Sequence, residues 1–153
     1  MSQLTLLDPV NPLGLPERVR VLSLWHRWAA HVAAGSKSIE TRRWAWPYEP
    51  GWLAIHAALR ADGDVEGRLE PFPEAPPVEP GTLCALVWVA RCRMLMPEDL
   101  PRALCYAPDR WAWELERVQR LRSGRMRGPQ KFGSVPRAMV IEALTPGEKA
   151  HHG

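Results

Sequence analysis

The chain has 153 residues, 46% of them hydrophobic, the size of one ordinary domain able to bury its own core. A formal net charge of +3 falls short of the dense basic tracts that hold long stretches of phosphate backbone, so charge permits a nucleic-acid partner without requiring one. No run approaches the roughly 18 apolar residues of a membrane helix, the N-terminus lacks a signal peptide's charged start and apolar stretch, and the Cys and His spacings match no zinc site, which points to a cytoplasmic protein with reduced thiols and neither metal nor cofactor.

Residues 1–17 carry Pro9, Pro12, Gly14 and Pro16 and read as a leader without regular structure. Residues 18–24 open with polar and β-branched residues in alternation, a strand pattern. At 25–34 the period changes. Trp25, Trp28, Ala29 and Val32 share one helical face, with Ser23 as a candidate cap and Gly35 in the left-handed C-terminal position. Residues 38–44 predict a second strand, 47–51 a turn, and 52–58 a third strand with Leu53, Ile55 and Ala57 inward. The Pro- and Glu-rich segment 59–80 excludes a long helix or central strand and reads as a surface excursion.

Residues 82–92 are apolar on both alternating faces, as in a strand covered on both sides. A short helix is predicted over 97–104, with Glu98 and Asp99 near its positive end, and strands over 111–118 and 135–143. Six short strands with few helices, and no second apolar core, predict a small barrel spanning 18–145 and a tail at 146–153. Most of the eight tryptophans belong in such a core, with an exposed Trp44 and Trp46 pair left as a dimer contact or stacking platform.

The strongest local signal is Gly35-Ser36-Lys37-Ser38-Ile39-Glu40-Thr41-Arg42, which sets an ammonium, a carboxylate and a guanidinium just after a helix-ending glycine. On a straight strand Lys37 and Glu40 have opposite parity and diverge; they meet only if the strand begins after Lys37, which a left-handed turn at Gly35 allows. A Lys37–Glu40 contact is therefore expected. A carboxylate beside the lysine favours its ammonium, which suits donation to a phosphate or carbonyl. The bland alternative is a surface ion pair worth about 0 to 1 kcal/mol. Arg42 shares the face of Glu40, whereas Arg43 points away, to the surface or to a phosphate.

Further candidates lie elsewhere. His56 follows Trp52 and Ala54 on the strand face opposite the inward aliphatics, which sets it toward a pocket or toward solvent. Arg117, Arg120, Arg122, Arg125, Arg127 and Lys131 form a basic stretch suited to a phosphate backbone or to a solvated loop. Within it, Gln130 offers an amide for a base edge and Phe132 a ring for stacking.

The lysine segment closely resembles the ASCH family motif G-x-K-x-x-E-x-R. Its neighbours Leu22-Ser23-Leu24, Trp28-Ala29, Gly51-Trp52-Leu53-Ala54-Ile55-His56-Ala57-Ala58, Trp111-Ala112-Trp113-Glu114-Leu115 and Gly128-Pro129-Gln130 extend the resemblance over most of 19–143. His26-Arg27 stands where the family often has Gln-Pro. The resemblance implies an α+β, mostly β, PUA-like small barrel with one or two packed short helices. It also implies a pocket at the helix–barrel junction for RNA, other single-stranded nucleic acid or a free nucleoside. Trp25, His26, Trp28, Lys37, Glu40, Arg42 and His56 are the candidate contacts there, with Arg122, Arg125, Arg127, Gln130, Lys131 and Phe132 alongside.

Some small members of the family are amidohydrolases of acetylated cytidine that use a lysine, a threonine and a glutamate. Lys37 matches the lysine, Glu40 stands near the threonine's expected place with Thr41 adjacent, and the glutamate is open among Glu98, Glu114 and Glu116. Ribonuclease activity, reported for some domains of this type, ranks third.

Overall fold

The computed structural model describes residues 10–144, so the start of the leader and the tail expected at 146–153 lie outside the described residues. The chain runs β1 (Arg18–Trp25), α1 (His26–Ala34), β2 (Ile39–Arg42), β3 (Gly51–Ala58), β4 (Leu83–Met94), a single 3-10 turn at Pro97–Asp99 that leads into α2 (Leu100–Ala103), β5 (Trp111–Arg120), β6 (Phe132–Pro136) and α3 (Arg137–Ala143). Six strands form one sheet in the order β2-β5-β4-β3-β1-β6. β1 and β3 are parallel, because α1 carries the chain back across the sheet between them; the other neighbouring pairs are antiparallel.

The sheet curls into a half-barrel rather than closing, since the edge strands β2 and β6 form no ladder with each other. Aromatic side chains bridge the gap. Phe132 of β6 stacks on Trp113 of β5 with ring centroids 5.9 Å apart and planes 10° from parallel, and Trp46 meets both edge-on. Inside the curl, Leu22, Leu53, Ile55, Val87 and Trp113 pack against Trp28, Ala29 and Val32 of α1. On the other face, Val19, Val21, Trp52, Ala54 and Leu86 pack with Val140 and Ala143 of α3, and Leu15 at the end of the leader joins them.

Three sequence expectations change. The strand predicted over 135–143 exists only to Pro136, after which the chain turns helical: Val140 and Ala143, three residues apart, form one buried face while Met139 is exposed, a helical period that the β-branched composition masked. Ser23 does not cap α1, which has no side-chain cap; its hydroxyl instead bonds His56 Nδ1 at 3.0 Å. Trp46 is buried and only Trp44 is exposed, so there is no exposed tryptophan pair; the Trp46 indole N–H donates to the Glu49 carbonyl at 3.0 Å within the turn.

Arg93 on β4 ties the far end of the sheet to the turn before α2. Its guanidinium donates to both oxygens of Asp99, at 2.8 and 2.9 Å, and to Glu114 Oε2 at 2.7 Å. Hydrogen bonds from Arg93, with the Met96 N–H, hold the Asp99 carboxyl below its usual range against the opposing effect of burial. Burial alone would raise Glu114, but Arg93 and Arg91 pull it below its ordinary value. The unfolded chain therefore binds more protons than the folded one as these groups titrate. Their stabilisation is complete above the ordinary carboxylate pKa of about 4 and is lost as pH falls through the lower folded values. Thermal melts from about pH 6 to about pH 3 should show the midpoint falling below about pH 5, and Asp99→Asn with Glu114→Gln should flatten that fall.

Candidate functional site

Gly35 ends α1 with φ 86°, and its N–H donates to the Val32 carbonyl at 3.1 Å. Ser36 and Lys37 therefore leave the helix outside the ladder, and β2 begins only at Ile39. That offset carries Lys37 inward, where its side chain is 1% exposed. The ammonium donates to the Ile39 carbonyl at 2.8 Å and the Ala103 carbonyl at 2.6 Å, lies 3.7 Å from Glu40 Oε1, and sits 5.0 Å from the centre of the Trp28 ring. Arg42 Nε closes the other side of the same carboxylate, 2.8 Å from Glu40 Oε2. Two of the lysine's three donors are thus committed to main-chain carbonyls, and Glu40 is shared between two cations.

These side chains line a cleft of about 660 Å³ at the junction of α1, β1 and β2. Trp25, Trp28, Lys37, Glu40, Thr41 and Arg42 meet there, as do Ser23, Arg43, Ala58, Cys105, Arg110 and Pro129. Thr41 Oγ1 lies 3.6 Å from Cys105 Sγ. One wall comes from the excursion, through Asp64, Val65 and Glu66.

The excursion is held by Asp62, which pairs with Arg27 and Arg68 and accepts from the Trp28 indole at 3.4 Å and the Gly63 N–H at 2.7 Å. Burial by itself would raise the Asp62 carboxyl, but the Gly63 and Trp28 donors, then Arg68 and Arg27, hold it below its usual value. Far from being only a surface feature, the segment packs Val65, Leu69, Phe72 and Val78 against the core.

Other candidates fall elsewhere. His26 is not among the residues that line the cleft, and its Nδ1–H donates to the Ala58 carbonyl at 3.2 Å. His56 points neither to the cleft nor to solvent. It is buried, Nε2–H donates to the Met126 carbonyl at 2.9 Å, and this tautomer leaves Nδ1 to accept from Ser23. His56 thereby latches the basic segment to the sheet, and Gly128 packs so tightly against it that a Cβ would overlap the imidazole.

Arg122, Arg125, Arg127, Gln130 and Lys131 are exposed beyond that latch, with Arg125 3.5 Å from Glu79. Arg117 is spent on stacking over Trp52 and Trp88, with its guanidinium carbon 4.6 and 5.0 Å from their centroids. Phe132 is committed to Trp113. None of Glu98, Glu114 and Glu116 lines the cleft; Glu114 is held by Arg91 and Arg93. Besides Glu40, the glutamate that lines it is Glu66, whose one sequence signal is a run dense in carboxylates, Asp62-Gly63-Asp64-Val65-Glu66-Gly67, set between glycines. Arg110 and Cys105 carried no signal, because they reach the cleft only through the pairing of β5 with β2 and the close of α2.

No family model and no curated protein matches the sequence. Among solved structures, one point variant of the ASCH protein from Zymomonas mobilis aligns with a TM-score of 0.52 and 14% identity, over 80% of this chain and 94% of that one. The chain has the ASCH fold. A second variant of the same protein aligns with a TM-score of 0.52 and 15% identity, over 84% of this chain and 96% of that one. In this version of the ASCH, PUA-like fold, the lysine segment sits at the helix–sheet junction, and no helix among the described residues is long and apolar enough to cross a membrane.

Proposed function

We propose that the chain binds single-stranded RNA or a modified nucleotide, with one base held in the cleft between α1 and the half-barrel. The observation that carries this reading is the convergence of two indoles, Trp25 and Trp28, with the Lys37–Glu40–Arg42 cluster in a cleft of about 660 Å³, the size of a small-ligand site. Indole surface suits a base and the charged cluster suits its polar edge. The exposed arginines run toward the same place, since Pro129 lines the cleft a few residues after Arg125 and Arg127. PUA-like domains that resemble this one bind RNA, which agrees with the reading.

Association with a short single-stranded RNA should weaken linearly in log–log terms with salt. An Arg122→Ala, Arg125→Ala double variant should lower affinity and reduce the slope by about 0.7 for each phosphate contact removed. Fluorescence anisotropy across a salt series checks this, and no association at low salt would end the reading.

A second reading, amidohydrolysis of acetylated cytidine, is favoured by one feature: Lys37, Thr41 and Glu66 line the same cleft. Incubation with the acetylated nucleoside followed by mass spectrometry distinguishes the two, because only an enzyme releases acetate and cytidine.

A further inference from the structure

The charges lining the cleft divide into two groups. Lys37 and Arg42 both pair with Glu40, and Lys37 also donates to two main-chain carbonyls. Arg43 and Arg110 do not: neither side chain has a hydrogen bond, ion pair or ring contact among the described residues, although both line the cleft. β2 and β5 pair antiparallel and their ladder ends with Arg42 opposite Trp111, so Arg43 and Arg110 are the next residues just beyond it, on adjoining chain segments. Like charges brought near each other in this way repel unless an anion lies between them. Two unpaired guanidiniums that line one nucleotide-sized cleft suit the oxygens of a phosphate. Asp64 and Glu66 on the excursion, also without partners among the described residues, supply acceptors for the amino and imino donors of a base.

We infer that the cleft takes a phosphorylated nucleotide, its phosphate held between Arg43 and Arg110, in preference to a bare nucleoside. This inference rests on the nucleotide-binding reading above and adds the phosphate to it. The phosphate can be the monoester of a free nucleotide or the diester of an RNA chain, which present the same oxygens to the two guanidiniums.

Calorimetric titration of the full chain with the common ribonucleosides, their monophosphates, and a short oligoribonucleotide without terminal phosphate tests it. Each monophosphate should bind about tenfold or more tightly than its nucleoside, as expected for charge-assisted hydrogen bonds, and inorganic phosphate should compete. An Arg43→Gln, Arg110→Gln double variant, which keeps side-chain bulk and donors at two solvent-accessible positions, should bring the monophosphates down to the affinity of the nucleosides. If the oligonucleotide matches or exceeds the monophosphates, the chain diester is the source; if it binds only as a nucleoside does, the monoester is. Equal binding of nucleosides and monophosphates would overturn the phosphate site and leave the nucleotide reading intact. Absence of binding by nucleosides, monophosphates and RNA alike would overturn both.

Discussion

Lys37→Ala should destabilise the fold by about 3 kcal/mol, the cost expected when one member of a buried, hydrogen-bonded ionic cluster is removed. The ammonium joins the Ile39 carbonyl at the start of β2 to the Ala103 carbonyl at the end of α2, two points distant in sequence. Truncation leaves both carbonyls without their donor and Glu40 with Arg42 alone, and it empties the space beneath Trp28. For a chain of this length the melting midpoint should fall by roughly 10 °C. Lys37→Met keeps the stem against Trp28 and should recover part of that loss, which separates the packing contribution from the polar one. Denaturant midpoints measure both variants. A change under about 1 kcal/mol for the alanine variant would mean that the ammonium does not tie α2 to β2. Loss of ligand binding in Lys37→Ala therefore reports on folding as well as on contact, whereas substitution of the exposed arginines reports on contact.

The lysine cluster was legible because its geometry is local. Opposite parity on a strand, a glycine able to adopt positive φ, and a three-residue separation were enough to bring Lys37 and Glu40 together and to set Arg42 on the face of Glu40; that Arg42 shares the same carboxylate is visible only in the structure. The first strand, the change of period at α1 and the doubly buried β4 were legible for the same reason, since each is written within a window of a few residues.

What escaped depends on contacts between distant segments. Arg110 reaches the cleft through strand pairing, and Asp64 and Glu66 through an excursion whose composition announces only a loop. His56 could not be assigned because its partners, Ser23 and the Met126 carbonyl, come from different strands and loops. In α3 the β-branched residues argued for a strand, and one-sided packing on β1 and β6 decided otherwise, an ordinary case of tertiary context overriding propensity.

Gly67→Ala should cost about 3 kcal/mol and open one wall of the cleft. Gly67 adopts φ +71°, where an L side chain is strained, and a Cβ there would overlap the Tyr106 carbonyl oxygen, a main-chain atom that cannot rotate aside. Tyr106 N–H donates to the Gly67 carbonyl at 2.9 Å, Leu69 N–H donates to the Leu104 carbonyl at 2.9 Å, and Arg68 bridges to Cys105 between them. This short junction zips the excursion to the segment after α2. It is also what sets Asp64, Val65 and Glu66 over the cleft, on the same side as Cys105. Releasing it should therefore separate two properties: nucleotide affinity falls with the lost wall, while the salt dependence contributed by Arg122, Arg125 and Arg127 persists, because their latch at His56 is untouched. Thermal melts, limited proteolysis within 59–80 and titration of nucleotide and RNA on the same variant check the three parts of this expectation. An unchanged melt with unchanged proteolysis would show that the Tyr106 junction yields to a methyl group and does not fix the wall.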